Sequence, residues 1–324
     1  MRHLALACLC LAMAACGGNL SNDDLEFLNA LPQREDLAAK LPANSQGRSG
    51  GKRAGGKTAA SASLQVRLGE TSQLFSDTDD TGRRFNASVD GLLALLEKIR
   101  DVEPTSRDPD RRVWGPFPDR DHPGFDVRFV MERNVEQRFA YRLEYRRSGE
   151  GEADWWAFLL GTFQADVGGI RKGQGQLFLD VKLAETKAFP LGGLVTLDRL
   201  LIRYQTKSLP TSVEMVFTPR GGLTAPTFYT YREAEGGLGE MKFQVPDTDL
   251  VPGGQLEDLE LTTRWAGDGR GVGVLDVLDG DIRGAKYTEC WDALGRVTFI
   301  ARSWDFFNPT EGQRSSCPDV SALD

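Results

Sequence analysis

Histidine is nearly absent from this chain, with 2 in 324 residues. His3 falls in a leader argued below to be removed, which leaves His122 alone. One histidine cannot build a HExxH zinc site or a two-histidine, one-carboxylate iron site, and a Ser-His-Asp triad becomes hard to build. No GxSxG nucleophile elbow occurs either. Basic charge is in deficit: 39 Lys and Arg stand against 47 Asp and Glu, a net charge of −8, which argues against a duplex-DNA binder. No apolar run reaches the roughly 18–20 residues that cross a bilayer as a helix. What is present is ordinary. A hydrophobic fraction of 40% suits a packed core and argues against global disorder. The length suits one large domain or two small ones. None of these counts names an activity.

The N-terminus reads as an address. Met1, Arg2 and His3 form a short positive region, and Leu4 to Ala15 is apolar and ends in small residues. That is the form of a secretory signal, too short for a transmembrane helix. Met13-Ala14-Ala15-Cys16 resembles the bacterial lipobox, with Met13 where Leu is usual. The resemblance implies a diacylglyceryl group on the Cys16 sulfur, cleavage after residue 15 and acylation of the new amine. Several acyl chains give stable attachment where one holds only reversibly. Gly17, rather than Asp, after the cysteine implies sorting to the outer membrane.

Residues 16–63 are expected to be the lipidated N-terminus and a flexible tether, with a single mainly-β domain over 64–324. Within the tether, Ser21 to Leu31 predicts a short helix capped by Ser21, with Leu25, Leu28 and Leu31 on one face. Asn44 to Ser63 is rich in Gly, Ser and Ala and carries four basic residues and no acid. Gly51 to Thr58, GKRAGGKT, matches the Walker A pattern at every fixed position. A phosphate loop needs a buried strand before it and a helix after it. Neither flank supplies one, so no nucleotide is expected.

Phe85, Val89, Leu92, Leu93, Leu96 and Ile99 recur at helical spacing, predicting an amphipathic helix over 83–100 with a break or bend at Gly82. After Trp114 the period becomes two. Phe125 to Met131, Phe139 to Tyr145, Leu177 to Leu183 and a further series up to Val297 to Ser303 alternate apolar and polar residues. Glycine-rich turns separate them. Clean alternation means antiparallel strands with one wet face. The expected fold is therefore mainly β, an antiparallel meander of about a dozen strands with one packing helix. The meander is expected to curl into a barrel or half-barrel, with a two-sheet sandwich as the alternative.

Two cysteines, Cys290 and Cys317, remain in the mature chain, and in an exported protein they are expected to form a disulfide. Other candidates for chemistry are thin. Asp77 to Gly82 resembles the first half of a calcium loop, but Ser88 stands where the bidentate Glu belongs, so a helix cap or solvated turn is the reading. Asp276, Asp279 and Asp281 are ordinary turn acids. Asp119 to Pro123 is where histidine meets carboxylates, with no nucleophile beside it. Trp155, Trp156 and Phe158 suggest a sugar platform, yet both faces of that strand are apolar, as in a buried strand.

Trp114-Gly115-Pro116, the tyrosine-rich strand ending near Tyr145, Gly173-x-Gly175 and Glu289-Cys290-Trp291-Asp292 together resemble lipoproteins of myxobacteria. That family brings no activity with it. In shape, an anchored curved sheet with a helix is also similar to periplasmic lipid carriers of the lipoprotein-chaperone type. The expectation is a non-enzymatic, lipid-anchored envelope protein that binds an apolar ligand or an envelope component, with no cofactor, metal or nucleic acid. A lipoprotein acting through its surface is the alternative, and a carboxylate-based hydrolase comes third.

Overall fold

The computed structural model describes residues 20–42, 66–166, 169–222, 226–251 and 253–324. The signal segment 1–15, Cys16 and the Walker-like stretch 51–58 lie outside the described residues.

Fifteen strands form one antiparallel sheet in which every strand pairs with its neighbours in sequence. They are β1 (Ser106–Asp108), β2 (Arg111–Pro118), β3 (Phe125–Arg133), β4 (Arg138–Arg147), β5 (Trp156–Asp166), β6 (Gly169–Asp180), β7 (Leu197–Gln205) and β8 (Thr211–Pro219). The series continues with β9 (Thr227–Glu233), β10 (Gly239–Thr248), β11 (Glu257–Trp265), β12 (Gly271–Asp279), β13 (Lys286–Trp291), β14 (Val297–Arg302) and β15 (Thr310–Gly312). The meander expected from alternation is therefore present. Because β1 and β15 are its two edges, the sheet is open, which fits a half-barrel or a two-sheet sandwich and not a closed barrel.

Helix α1 (Asn22–Asn29), α2 (Arg34–Leu37) and the 28-residue α3 (Gln73–Arg100) lie against one face of the sheet, and α4 (Val181–Thr186) follows β6. Asp180 caps α4 through the Leu183 amide, which ends β6 before the expected Val181 and Leu183. α3 runs straight through Gly82 instead of breaking there. The reason is packing: a Cβ on Gly82 would stand 2.2 Å from Cδ2 of Leu41. Glycine lets the segment after α2 press against the helix, at about 1 kcal/mol of helix propensity. The predicted stripe of Phe85, Val89, Leu92, Leu93 and Leu96 is buried, with Leu74 and Phe75 extending it.

The segment 20–42 belongs to this body. Phe27, Leu28, Leu31 and Leu37 are buried in the same core as the sheet. Ser21 caps α1 as expected, in a box with Asp24. The buried face is Phe27, Leu28 and Leu31, while Leu25 is exposed. The body thus includes residues 20–42, which the expected tether over 16–63 had left out. The boundary was invisible because so short a helix shows its apolar face only once a partner is known. Asp24 is fully buried and accepts from Arg107 and Arg112, which ties α1 to β1 and β2. Burial alone would raise its pKa, but the Ser21 amide and the Arg107 guanidinium outweigh it and lower the value.

A recurrent pairing shapes the sheet. Tyr141 lies opposite Gly161, Tyr204 opposite Gly175, Trp265 opposite Gly239 and Trp291 opposite Gly271. In each case a Cβ on the glycine would meet the ring at 2.0–2.4 Å. The ring packs flat on bare backbone, a device that gives a strongly coiled sheet both room and cover.

Candidate functional site

The helix-facing side of the sheet is a solid core over most of its extent. Leu74 packs onto Gly273, Thr78 Oγ1 bonds Thr263 Oγ1 at 2.9 Å, and Phe75 meets Trp291 with ring centroids 5.8 Å apart. Glu289 on β13 anchors the start of α3. Its carboxylate accepts from Ser72 Oγ at 2.6 Å, from the Tyr287 hydroxyl at 2.8 Å and from the Leu74 amide at 3.4 Å. Burial raises its pKa against those bonds. A helix N-terminus favours a carboxylate at this place.

The core opens at one wedge, between the middle of α3 and the ends of β7, β8 and β9. The cavity is about 370 Å³ and is walled by Phe85, Leu197, Phe217, Pro219 and Tyr229, with Arg84 and Ser88 above. A register shift between Leu197 and Arg199 turns Leu197 to the helix side. Phe217 and Tyr229 meet edge to face at 5.5 Å. Burial raises the Tyr229 hydroxyl pKa, and the positive charge of Arg84 acts in the opposite direction. Arg84 is exposed and has no ion-pair partner among the described residues. The volume lies within the range of small-molecule sites, which are mostly apolar with a few placed polar groups. Sequence reasoning placed Phe85 on the core stripe but did not single out Arg84, Phe217 or Tyr229. Within its own helix or strand each reads as ordinary periodicity, and only the splay of helix from sheet sets them around a void.

The other candidates resolve differently. His122 Nδ1 lies 2.7 Å from Asp119 Oδ2, and its ring stacks 4.5 Å from Phe189 over the Tyr145 and Phe158 cluster. Asp121 pairs with Lys98 rather than with the histidine. The arrangement closes an aromatic cluster. Trp156 and Phe158 are buried, and Trp155 lies between the guanidinium groups of Arg128 and Arg146 at 4.4 and 4.5 Å. No ring face is left for a sugar there. Asp77 to Gly82 is continuous helix, so the calcium-loop resemblance has no loop behind it. Asp276 pairs with Lys286, and Asp281 accepts from the Gln255 amide, so these acids do not converge.

The disulfide between Cys290 and Cys317 is present, with Cα atoms 5.2 Å apart. It fastens the C-terminal tail to the face of the sheet away from α3. Beyond it, Arg232 donates to the Leu323 carbonyl at 2.8 Å, Arg264 pairs with Asp324, and the Leu323 side chain is fully buried.

Comparison with protein-family models, curated proteins and solved structures finds no match to the chain.

Proposed function

We propose that this protein is a lipid-anchored envelope protein whose body takes up an anionic amphiphile in the wedge between α3 and β7–β9. The observation that carries the reading is the unpaired Arg84 at the mouth of a cavity walled by Phe85, Phe217 and Tyr229. An acyl chain would fill the apolar interior at about 0.8 kcal/mol per methylene, and a carboxylate or phosphate would meet the guanidinium. The lipobox-like Cys16 would supply the anchor and the outer membrane the setting. The reading needs no catalytic step.

Titration of the full chain with a fluorescent long-chain fatty acid tests it. Saturable binding is expected, displaced by unlabelled fatty acid. Ser88→Trp, which fills the wedge, abolishes binding, and Arg84→Glu weakens it about tenfold or more, the value of a charged hydrogen bond. Binding that is indifferent to both substitutions refutes the proposal. Incorporation of labelled palmitate that persists in Cys16→Ala would refute the anchor.

A further inference from the structure

The opposite face of the sheet carries a second depression, independent of the wedge. It is a groove of about 1090 Å³ that crosses six strands, β4 to β9, with the end of β3 at its margin. Five strand spacings give it a length of about 24 Å. Its floor alternates with the core. The core-facing row Phe139, Phe163, Gly175, Tyr204, Val213 and Tyr231 shows only backbone here, while the rows on either side point outward. We propose that this groove binds a polysaccharide strand laid across the sheet.

Three features select that ligand class. First, the groove asks for no counter-charge. Every charged residue in its wall is already paired: Glu132 with Arg142, Arg133 with Glu26, Arg138 with Glu136, Arg203 with Glu214 and Arg232 with Glu240. A nucleic acid or a polyanionic chain would find no free cation to meet it. Second, the floor on either side of the central Arg203–Glu214 pair is uncharged and polar. The side chains of Thr162, Gln174, Gln176, Ser212 and Thr230 line it and make no hydrogen bond to the protein among the described residues. Amides and hydroxyls both donate and accept, which is what a row of sugar hydroxyls requires. Third, one border is apolar. Leu160, Phe178, Leu201, Val216 and Phe228 follow one another in register across β5 to β9, on a face that is otherwise polar. Leu160 and Phe228 are more than two-fifths exposed, at 44% and 42%. A sugar ring presents a polar edge and an apolar face, and a polar floor beside an apolar strip matches both. An extended peptide is served less well, because the backbone groups of all six strands are spent on the sheet and no strand edge is open for pairing.

The test uses the purified full chain with two probes. One is native electrophoresis through gels containing a soluble neutral β-glucan, and the other is co-sedimentation with purified peptidoglycan sacculi. Retardation by the glucan assigns a free polysaccharide, and sedimentation assigns the wall glycan. Either outcome supports the groove, provided that Thr162→Ala/Gln176→Ala weakens it by about fivefold for each hydrogen bond lost. These side chains are on the surface, so unfolding midpoints should match the parent protein, and fatty-acid uptake by the wedge should be unchanged. Gln174→Ala/Gln176→Ala serves if the first variant is unstable. Absence of binding to both probes overturns the proposal, as does binding that survives the substitutions. Sedimentation that vanishes once protease has stripped the sacculi overturns it too, and gives the groove to a polypeptide.

Discussion

The indole of Trp291 lies on Gly271 of the neighbouring strand so closely that a Cβ there would stand 2.2 Å from Cζ2 of the ring. The backbone oxygen of Arg264 closes the other side at 2.7 Å. Gly271→Ala should therefore destabilise the protein by about 1–3 kcal/mol, the usual cost of overpacking. Urea denaturation measures it. In a Trp291→Ala background the same change should cost clearly less, since the two sites are in contact. Equal costs in both backgrounds would show that the ring is not the obstacle.

Glu289 sets a pH dependence. Its pKa is raised by burial, so the native state holds its proton more tightly than the unfolded chain does. Between the ordinary carboxylate value near 4.5 and the raised native value, stability due to this group falls as pH rises. Denaturation followed upward from about pH 4.5 should show that fall in the parent protein relative to Glu289→Gln, in which the slope is absent. Glu289→Ala should lose at least about 2 kcal/mol, because Ser72, Tyr287 and an α3 amide are left without an acceptor.

Reduction of Cys290–Cys317 removes a link across a sequence separation of 27. A loss of about 3–4 kcal/mol is expected from chain entropy, along with early proteolysis after Arg314, beyond β15, while the sheet stays intact. Limited digestion with and without reductant, read by mass spectrometry, checks both.

Phe306 and Phe307 are 89% and 95% exposed in the turn between β14 and β15, where Asp305 accepts from the Phe307 and Asn308 amides. Neither ring is buried in the core, so Phe306→Ser/Phe307→Ser should shift stability by less than about 0.5 kcal/mol per site. A larger loss in thermal melts would mean that the turn itself depends on the rings.

Legibility in the sequence followed the scale of each interaction. Period-two alternation from Phe125 to Arg302 reports which face of a strand is buried, and that is a local property. The strands and their meander character could therefore be read, and so could the α3 stripe, whereas the strand order and the closure of the sheet depend on long-range pairing and could not. β2 was missed because Gly115 and Pro116 interrupt its alternation, and β1 and β15 because three residues carry no period. Gly82 was read by propensity as a break, whereas Leu41, far away in sequence, decides its role. The wedge was beyond reach for the same reason: Arg84, Phe217 and Tyr229 come from three elements, and a void leaves no mark on any one of them. Glu289-Cys290-Trp291-Asp292 stood out as a motif, and the structure shows four separate duties. Glu289 anchors a helix, Cys290 holds the tail, Trp291 covers a glycine, and Asp292 receives the Leu294 and Arg296 amides of the next turn.

Packing of residues 20–42 into the core also fixes the leash. With α1 held by Asp24 to β1 and β2, three residues separate Cys16 from Leu20, and the four extended steps between them reach at most about 14 Å. A body acylated at Cys16 would not swing on a long glycine-rich cord. It would stand with its β1 edge close to the headgroups, and residues 42 and 66, which flank the glycine-rich stretch, both belong to the body itself.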